Sequence, residues 1–194
     1  MLGTGNILGG KLRLDRLVRT GKSSEVFQGR DLGSGQRVAV KVLRFPHTDQ
    51  LVRFEREARM LAELDHPNIV RYLDHAMTLL GQPYLVTEWL DGEDLATRLR
   101  TGPLTARETL AIGQDVAEAM AAAHERGIIH RDLKPGNVFL MRGEFSPSKC
   151  STSGSPGCLK LCIPIQFPSV RGCPSLVPVS IVIMSLSYRL NASN

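Results

Sequence analysis

Residues 130–137 read His130-Arg131-Asp132-Leu133-Lys134-Pro135-Gly136-Asn137, and the apolar run Val138-Phe139-Leu140 follows. An aspartate, a lysine and an asparagine thus fall at offsets 0, +2 and +5 in a loop that contains a proline. A carboxylate in such a loop can orient a hydroxyl, an ammonium can meet phosphate oxygens, and an amide can hold a cation. The set suits a metal phosphate better than a plain polar turn ahead of a strand. Other polar residues are ambiguous one at a time. Lys41, at the end of Val38-Ala39-Val40-Lys41, reads alone as an edge-strand lysine, and Glu57 alone reads as a solvated position on a charged helix face. Gly21-Lys22-Ser23 is not a Walker-type loop, because that motif needs a glycine where Arg16 stands.

The elements that must position these groups are legible in outline. Leu12 to Val18, Glu25 to Gln28 and Arg37 to Val42 have strand character and are joined by short polar turns, which predicts an antiparallel meander. Phe54, Ala58, Leu61 and Leu64 recur at helical spacing within a charged segment, predicting a helix over 48–64 that His66-Pro67-Asn68 stops. Ile69 to Ala76 and Pro83 to Leu90 are the next strands, separated by Gly81-Gln82. A second helix opens on Thr105-Ala106-Arg107-Glu108, a capping-box pattern, and runs through Ile112, Val116, Ala119 and Ala123 to Gly127. The fold class is α+β, a small β-rich unit followed by a helical one.

Composition excludes several classes. The 194 residues are 42% hydrophobic and 22% charged, an ordinary balance for a folded protein. The formal charge of +5 is uneven: beyond Phe145 stand four bases and no acid, together with all four cysteines and most of the prolines. Little aromatic content and mixed charge over residues 1–145 argue against nucleic acid. The apolar run 176–186 is too short to span a bilayer and is cut by Pro178. With no secretory leader and a cysteine-free body, a cytoplasmic chain is expected. The cysteines lack a paired C-x-x-C knuckle, which disfavours zinc, and the sequon at Asn191 has no secretory context.

Taken as an ordered set, the motifs resemble the bacterial Ser/Thr protein kinases of eukaryotic type, over about residues 12–142. Val38-Ala39-Val40-Lys41 is similar to the strand that carries the ATP-positioning lysine. Glu57, ahead of His66-Pro67-Asn68-Ile69-Val70, sits where the family's helical glutamate pairs with that lysine. Tyr84 to Leu95 resembles the inter-lobe hinge, with Thr87 as gatekeeper, the backbone of Glu88 and Leu90 toward adenine, and Asp94 toward ribose. The resemblance implies Asp132 and Lys134 as catalytic groups. It implies Gly21, Ser24, Val26, Ala39, Lys41, Glu57, Thr87, Glu88, Leu90, Asp94 and Asn137 as nucleotide contacts, with Asn137 also binding Mg²⁺. It further implies ATP as cofactor, a protein Ser/Thr hydroxyl as acceptor, and a kinase N-lobe and hinge over 12–90. A partial C-lobe would cover 91–145, and the oligomeric state is left open. Arg131 beside the aspartate suggests control through a phosphorylated activation loop.

The resemblance also breaks. Of the family's three loop glycines only the middle one, Gly21, is present, with Arg19 and Ser24 at the outer positions. No aspartate follows Asp132, so the family's Asp-Phe-Gly is missing, as is its Ala-Pro-Glu. With frequent Ser and Pro, no acid and no amphipathic period that lasts two turns, residues 146–194 read as an irregular, disordered, non-native-like tail, and the abrupt composition change suggests truncation, a shifted frame, an intron read-through or a mis-joined gene beyond about Arg142. Phosphoryl transfer is expected to be impaired. The alternative is a non-catalytic nucleotide- or partner-binding fragment. Small-molecule phosphotransferases of similar fold are disfavoured by the Arg-Asp-Leu-Lys-Pro wording.

Overall fold

A computed structural model of the chain describes residues 2–21, 23–44, 48–130, 132–141 and 159–162. Within its first helix, the side chains of 48–50, 53 and 57 lie outside that description.

The predicted meander is present as β2 (Leu12–Thr20), β3 (Ser24–Asp31) and β4 (Arg37–Leu43), preceded by a short β1 (Ile7–Leu8). With β5 (Tyr72–Met77) and β6 (Pro83–Glu88) they form one antiparallel sheet in the order β1-β2-β3-β4-β6-β5. Alternation in β4 decides which face does what. Val38, Val40 and Val42 are buried with Leu12, Leu14, Phe27, Tyr84 and Val86. Ala39 and Lys41 therefore leave by the opposite face. On that face α1 (Thr48–Ala62) packs Phe54 and Ala58 against Leu43 and Leu85. The helix ends two residues short of Leu64, ahead of the His66-Pro67 break.

Two elements in the second unit carried no periodic signal in the sequence. β7 (Gly92–Asp94) and α2 (Leu95–Arg100) span three and six residues, too short for a pattern to repeat. α3 (Ala106–Glu125) opens on the anticipated capping box, Thr105 Oγ1 accepting from Glu108 N at 3.2 Å and Glu108 Oε2 accepting from Thr105 N at 2.7 Å. It stops at Arg126, and Gly127 then turns the chain at φ 70°, a conformation that favours glycine. Ile112, Ala119 and Ala123 of α3 are buried with Leu95, Ile128 and the strand β8 (Val138–Met141).

The tail needs a correction. Leu159–Leu161 form a strand, β9, that pairs antiparallel with β8 and completes a second sheet in the order β7-β8-β9. Leu159 and Leu161 are 1% and 0% exposed in the same core as α3. An irregular tail from residue 146 thus does not describe 159–162, where burial of two leucines organises three residues too few to show a period. The rest of the expected tail, 146–158 and 163–194, lies outside the described residues. No described helix is long and apolar enough to cross a membrane.

Candidate active site

Ladder register gathers one group of the expected residues. Val26 on β3 stands opposite Lys41 on β4, and Ala39 stands opposite Thr87 on β6. Cross-strand partners share a face, as do residues two apart on one strand. Val26, Ala39, Lys41 and Thr87 therefore form one patch on the face that α1 covers only in part. Gly21 precedes β3, its N–H donating to Ser24 O at 2.8 Å, so the β2–β3 turn is drawn tight over that patch's edge. Glu57 belongs to α1, but its side chain lies outside the described residues, as do Lys22 and Arg131; the Lys41–Glu57 pair therefore stays an expectation.

The second group sits on the loop between α3 and β8. Lys134 Nζ lies 2.7 Å from Asp132 Oδ2. Asn137 Nδ2 donates to the same Oδ2 at 3.1 Å and to Asp132 O at 2.7 Å. Pro135–Asn137 make a single 3-10 turn, closed by Asn137 N donating to Lys134 O at 2.9 Å. Proline suits the first position of that turn because its fixed φ costs nothing there. The turn brings the +5 amide back onto the aspartate. Since both hydrogens of Nδ2 are spent on Asp132, any cation bound at Asn137 falls to its Oδ1.

His130 anchors this loop from beneath. The residue is 4% exposed. Its Nε2 lies 3.0 Å from Cys162 O, which can only accept, so Nε2 carries the proton. Nδ1 is then the acceptor for Asp132 N at 3.3 Å. Both bonds fit the neutral ring, and burial pushes its pKa below the usual 6.5. Cys162 N in turn donates to Asn137 O at 2.9 Å, so the end of β9 is tied to both ends of the loop. Burial pushes the Cys162 thiol up to about 11, with Lys41 pulling it back and Glu88 pushing it further.

The residues expected at a hinge are less uniform. Thr87 Oγ1 donates to Glu88 O at 3.3 Å, and Leu90 is partly buried just past β6. Asp94 caps α2, its Oδ1 accepting from Thr97 N at 2.7 Å, a role the motif did not announce. Sequence reading also missed Lys160 and Cys162. Leu159-Lys160-Leu161 does alternate, but three residues of alternation are common by chance. Among the described residues, no three His, Cys, Asp or Glu side chains are grouped to hold a metal.

A lysine-bearing antiparallel sheet followed by a helical unit with an Asp-Lys-Asn loop is the architecture of the phosphotransferring kinases, and the protein kinase domain family matches residues 13–161. The chain belongs to the protein kinase family. It is 39% identical over 139 residues to serine/threonine-protein kinase pkn2 of Myxococcus xanthus, covering 70% of this chain and 17% of that protein. It is 38% identical over 144 residues to PknA of Mycobacterium tuberculosis, covering 70% and 33%. The crystal structure of the Mycobacterium tuberculosis PknI kinase domain superposes with a TM-score of 0.69 at 28% identity, over 84% of this chain and 62% of that one. The chain thus spans a third or less of these curated relatives. The family match ends at Leu161, and the residues after it, Cys162-Ile163-Pro164-Ile165, hold no carboxylate.

Proposed function

We propose that this chain binds Mg²⁺·ATP between the sheet patch and the Asp132 loop, and that its site chemistry is phosphoryl transfer to a Ser or Thr hydroxyl of a protein. The observation that carries the reading is the convergence of Lys134 and Asn137 on one oxygen of Asp132. A scaffold has no physical use for a lysine and an amide both aimed at one carboxylate. In phosphoryl transfer, positioning and charge stabilisation supply nearly all of the catalysis.

Bound nucleotide would supply the transferable γ-phosphoryl group, and Mg²⁺ would neutralise its oxygens. The donor set fits such a group. Lys41 on the sheet and Lys134 on the loop are cations, and Asn137 offers an amide oxygen, a hard ligand suited to Mg²⁺. Because the described residues group no three metal ligands, a cation here would share its coordination with phosphate oxygens. Lys41 would hold phosphate on the sheet side. Asp132 would accept a hydrogen bond from the acceptor hydroxyl and orient it, and Lys134 would shield that carboxylate from the incoming phosphate. Val26, Ala39 and Thr87 would make the apolar ceiling against a purine, with the Glu88 and Leu90 backbone at its edge. Transfer is slow in this reading, because no aspartate follows Asp132 in the sequence to take a second share of the metal.

The test is direct. Mg²⁺·ATP binding is measured by calorimetry, and transfer of labelled phosphate to a mixed Ser/Thr substrate is followed in the parent chain and in Asp132→Asn. The expected result is micromolar-to-millimolar binding in both, and a weak transfer signal that falls at least about 100-fold in the variant. Binding without any transfer in the parent would favour the second reading, a nucleotide-binding fragment. No binding at all would sink both.

A further inference from the structure

We propose that Lys160 is a positioning residue that pins the inter-lobe hinge, a role that rests on the nucleotide-site reading above. Leu159 and Leu161 point into the core with α3, so the lysine between them leaves β9 by the opposite face. There its Nζ lies 2.6 Å from Glu88 Oε1, and the two side chains are only 20% and 23% exposed. The same Oε1 accepts from Arg71 N at 2.8 Å, and Glu88 N donates to Arg71 O at 3.0 Å. Glu88 is therefore fastened to the N-lobe through Arg71 and to the C-lobe sheet through Lys160.

The backbone ties of β9 do not reach the hinge. Leu161 N donates to Asn68 O at 2.7 Å, Val70 N to Leu161 O at 3.1 Å, and Cys162 N to Asn137 O. These fix the strand, and the strand presents Lys160. Among the described residues, a second charged tie near the hinge joins Arg37 to Asp91, whose side chains are 43% and 53% exposed. Pairs that open to water contribute little. The Lys160–Glu88 pair is the better shielded, and its loss leaves a carboxylate facing the lobe seam without its countercharge. The hinge backbone from Glu88 to Leu90 would then lose its fixed angle relative to the Asp132 loop.

The experiment uses the full 194-residue chain with Lys160→Met, Lys160→Arg, Glu88→Gln and the Met/Gln pair. Amide hydrogen exchange is followed in the nucleotide-free state over peptides 86–92 and 136–141. In Lys160→Met the hinge peptide is expected to exchange about tenfold faster while the 136–141 peptide is unchanged. Lys160→Arg should restore the parent rate, and the double variant should be no worse than Lys160→Met, because the two side chains act as one unit. Mg²⁺·ADP affinity should weaken roughly three- to tenfold in Lys160→Met and recover in Lys160→Arg. An unchanged hinge rate in Lys160→Met, or additive effects in the double variant, would overturn the proposal. Should Lys160→Met fail to fold, Glu88→Gln removes the carboxylate charge from the same pair with an isosteric side chain that keeps the Oε1 acceptor, and its hinge peptide is expected to exchange faster than the parent's, an unchanged rate overturning the proposal. Hinge exchange needs no nucleotide, so a parent that binds none would refute the proposed function and leave the pin to be judged on exchange alone.

Discussion

Asp132 Oδ2 receives two donors, one cationic and one neutral, from residues two and five positions later. Removing the amide tests the metal-holding role proposed for Asn137. In Asn137→Ala, the stimulation of ADP binding by Mg²⁺ should fall roughly tenfold, a loss of about 1.4 kcal/mol, while metal-free binding stays near the parent value; titrations with and without Mg²⁺ check this. His130 makes a pH prediction. Its native pKa lies below the unfolded value of 6.5, so the unfolded chain binds the extra proton first as pH falls. The stability that the neutral ring confers is complete above pH 6.5 and is lost as pH drops toward the native pKa. The slope from this one group is at most roughly 1.4 kcal/mol per pH unit. Urea melts between pH 7.5 and 5.5 should show the loss, and His130→Gln, which keeps a side-chain N–H donor, should flatten it.

At the scale of elements, two short connections do much of the positioning. β7 meets β8 so closely that a Cβ on Gly92 would stand 1.9 Å from Leu140 O. Backbone must move to admit it, so Gly92→Ala should cost roughly 2–4 kcal/mol and disturb the β7–β8 register that leads into the hinge. A lowered melting temperature with faster exchange at Leu140 would be the sign. The α3 capping box offers a milder case. Thr105→Ala removes the acceptor for Glu108 N and should cost about 1 kcal/mol, readable in the same urea melts with no change in nucleotide affinity. The capping box was legible because its two partners lie three residues apart. The β7 contact was not, since Gly92 and Leu140 are distant in the chain and meet only through the sheet.

For the whole molecule, the question is where the folded unit stops. A composition change near residue 145 suggested a boundary there, yet Leu159 and Leu161 fill the core beneath α3. Full burial of a leucine contributes about 1.5–3 kcal/mol, so a chain ending at 145 should lose roughly 3–6 kcal/mol against one ending at 165. That is comparable to the whole stability of a small domain. The shorter chain is expected to be unfolded or aggregated by circular dichroism and light scattering, and the longer one to melt cooperatively. The acid-free, proline-rich composition hid this, because a strand needs only two inward side chains and a partner edge, neither of which leaves a statistical trace.

The sequence by itself determined the meander, both long helices, the cap of α3, the Asp-Lys-Asn loop and the family resemblance. All of these rest on near-neighbour spacing, where residue type and chain geometry suffice. Tertiary structure alone decided which face of β4 carries Lys41, that Asn137 turns its amide onto Asp132, and that His130 reaches the end of β9. It alone decided that Lys160 meets Glu88 across 72 positions. Such contacts are set by how sheets and helices close around a shared core, and closure joins residues whose separation along the chain carries no information about their meeting.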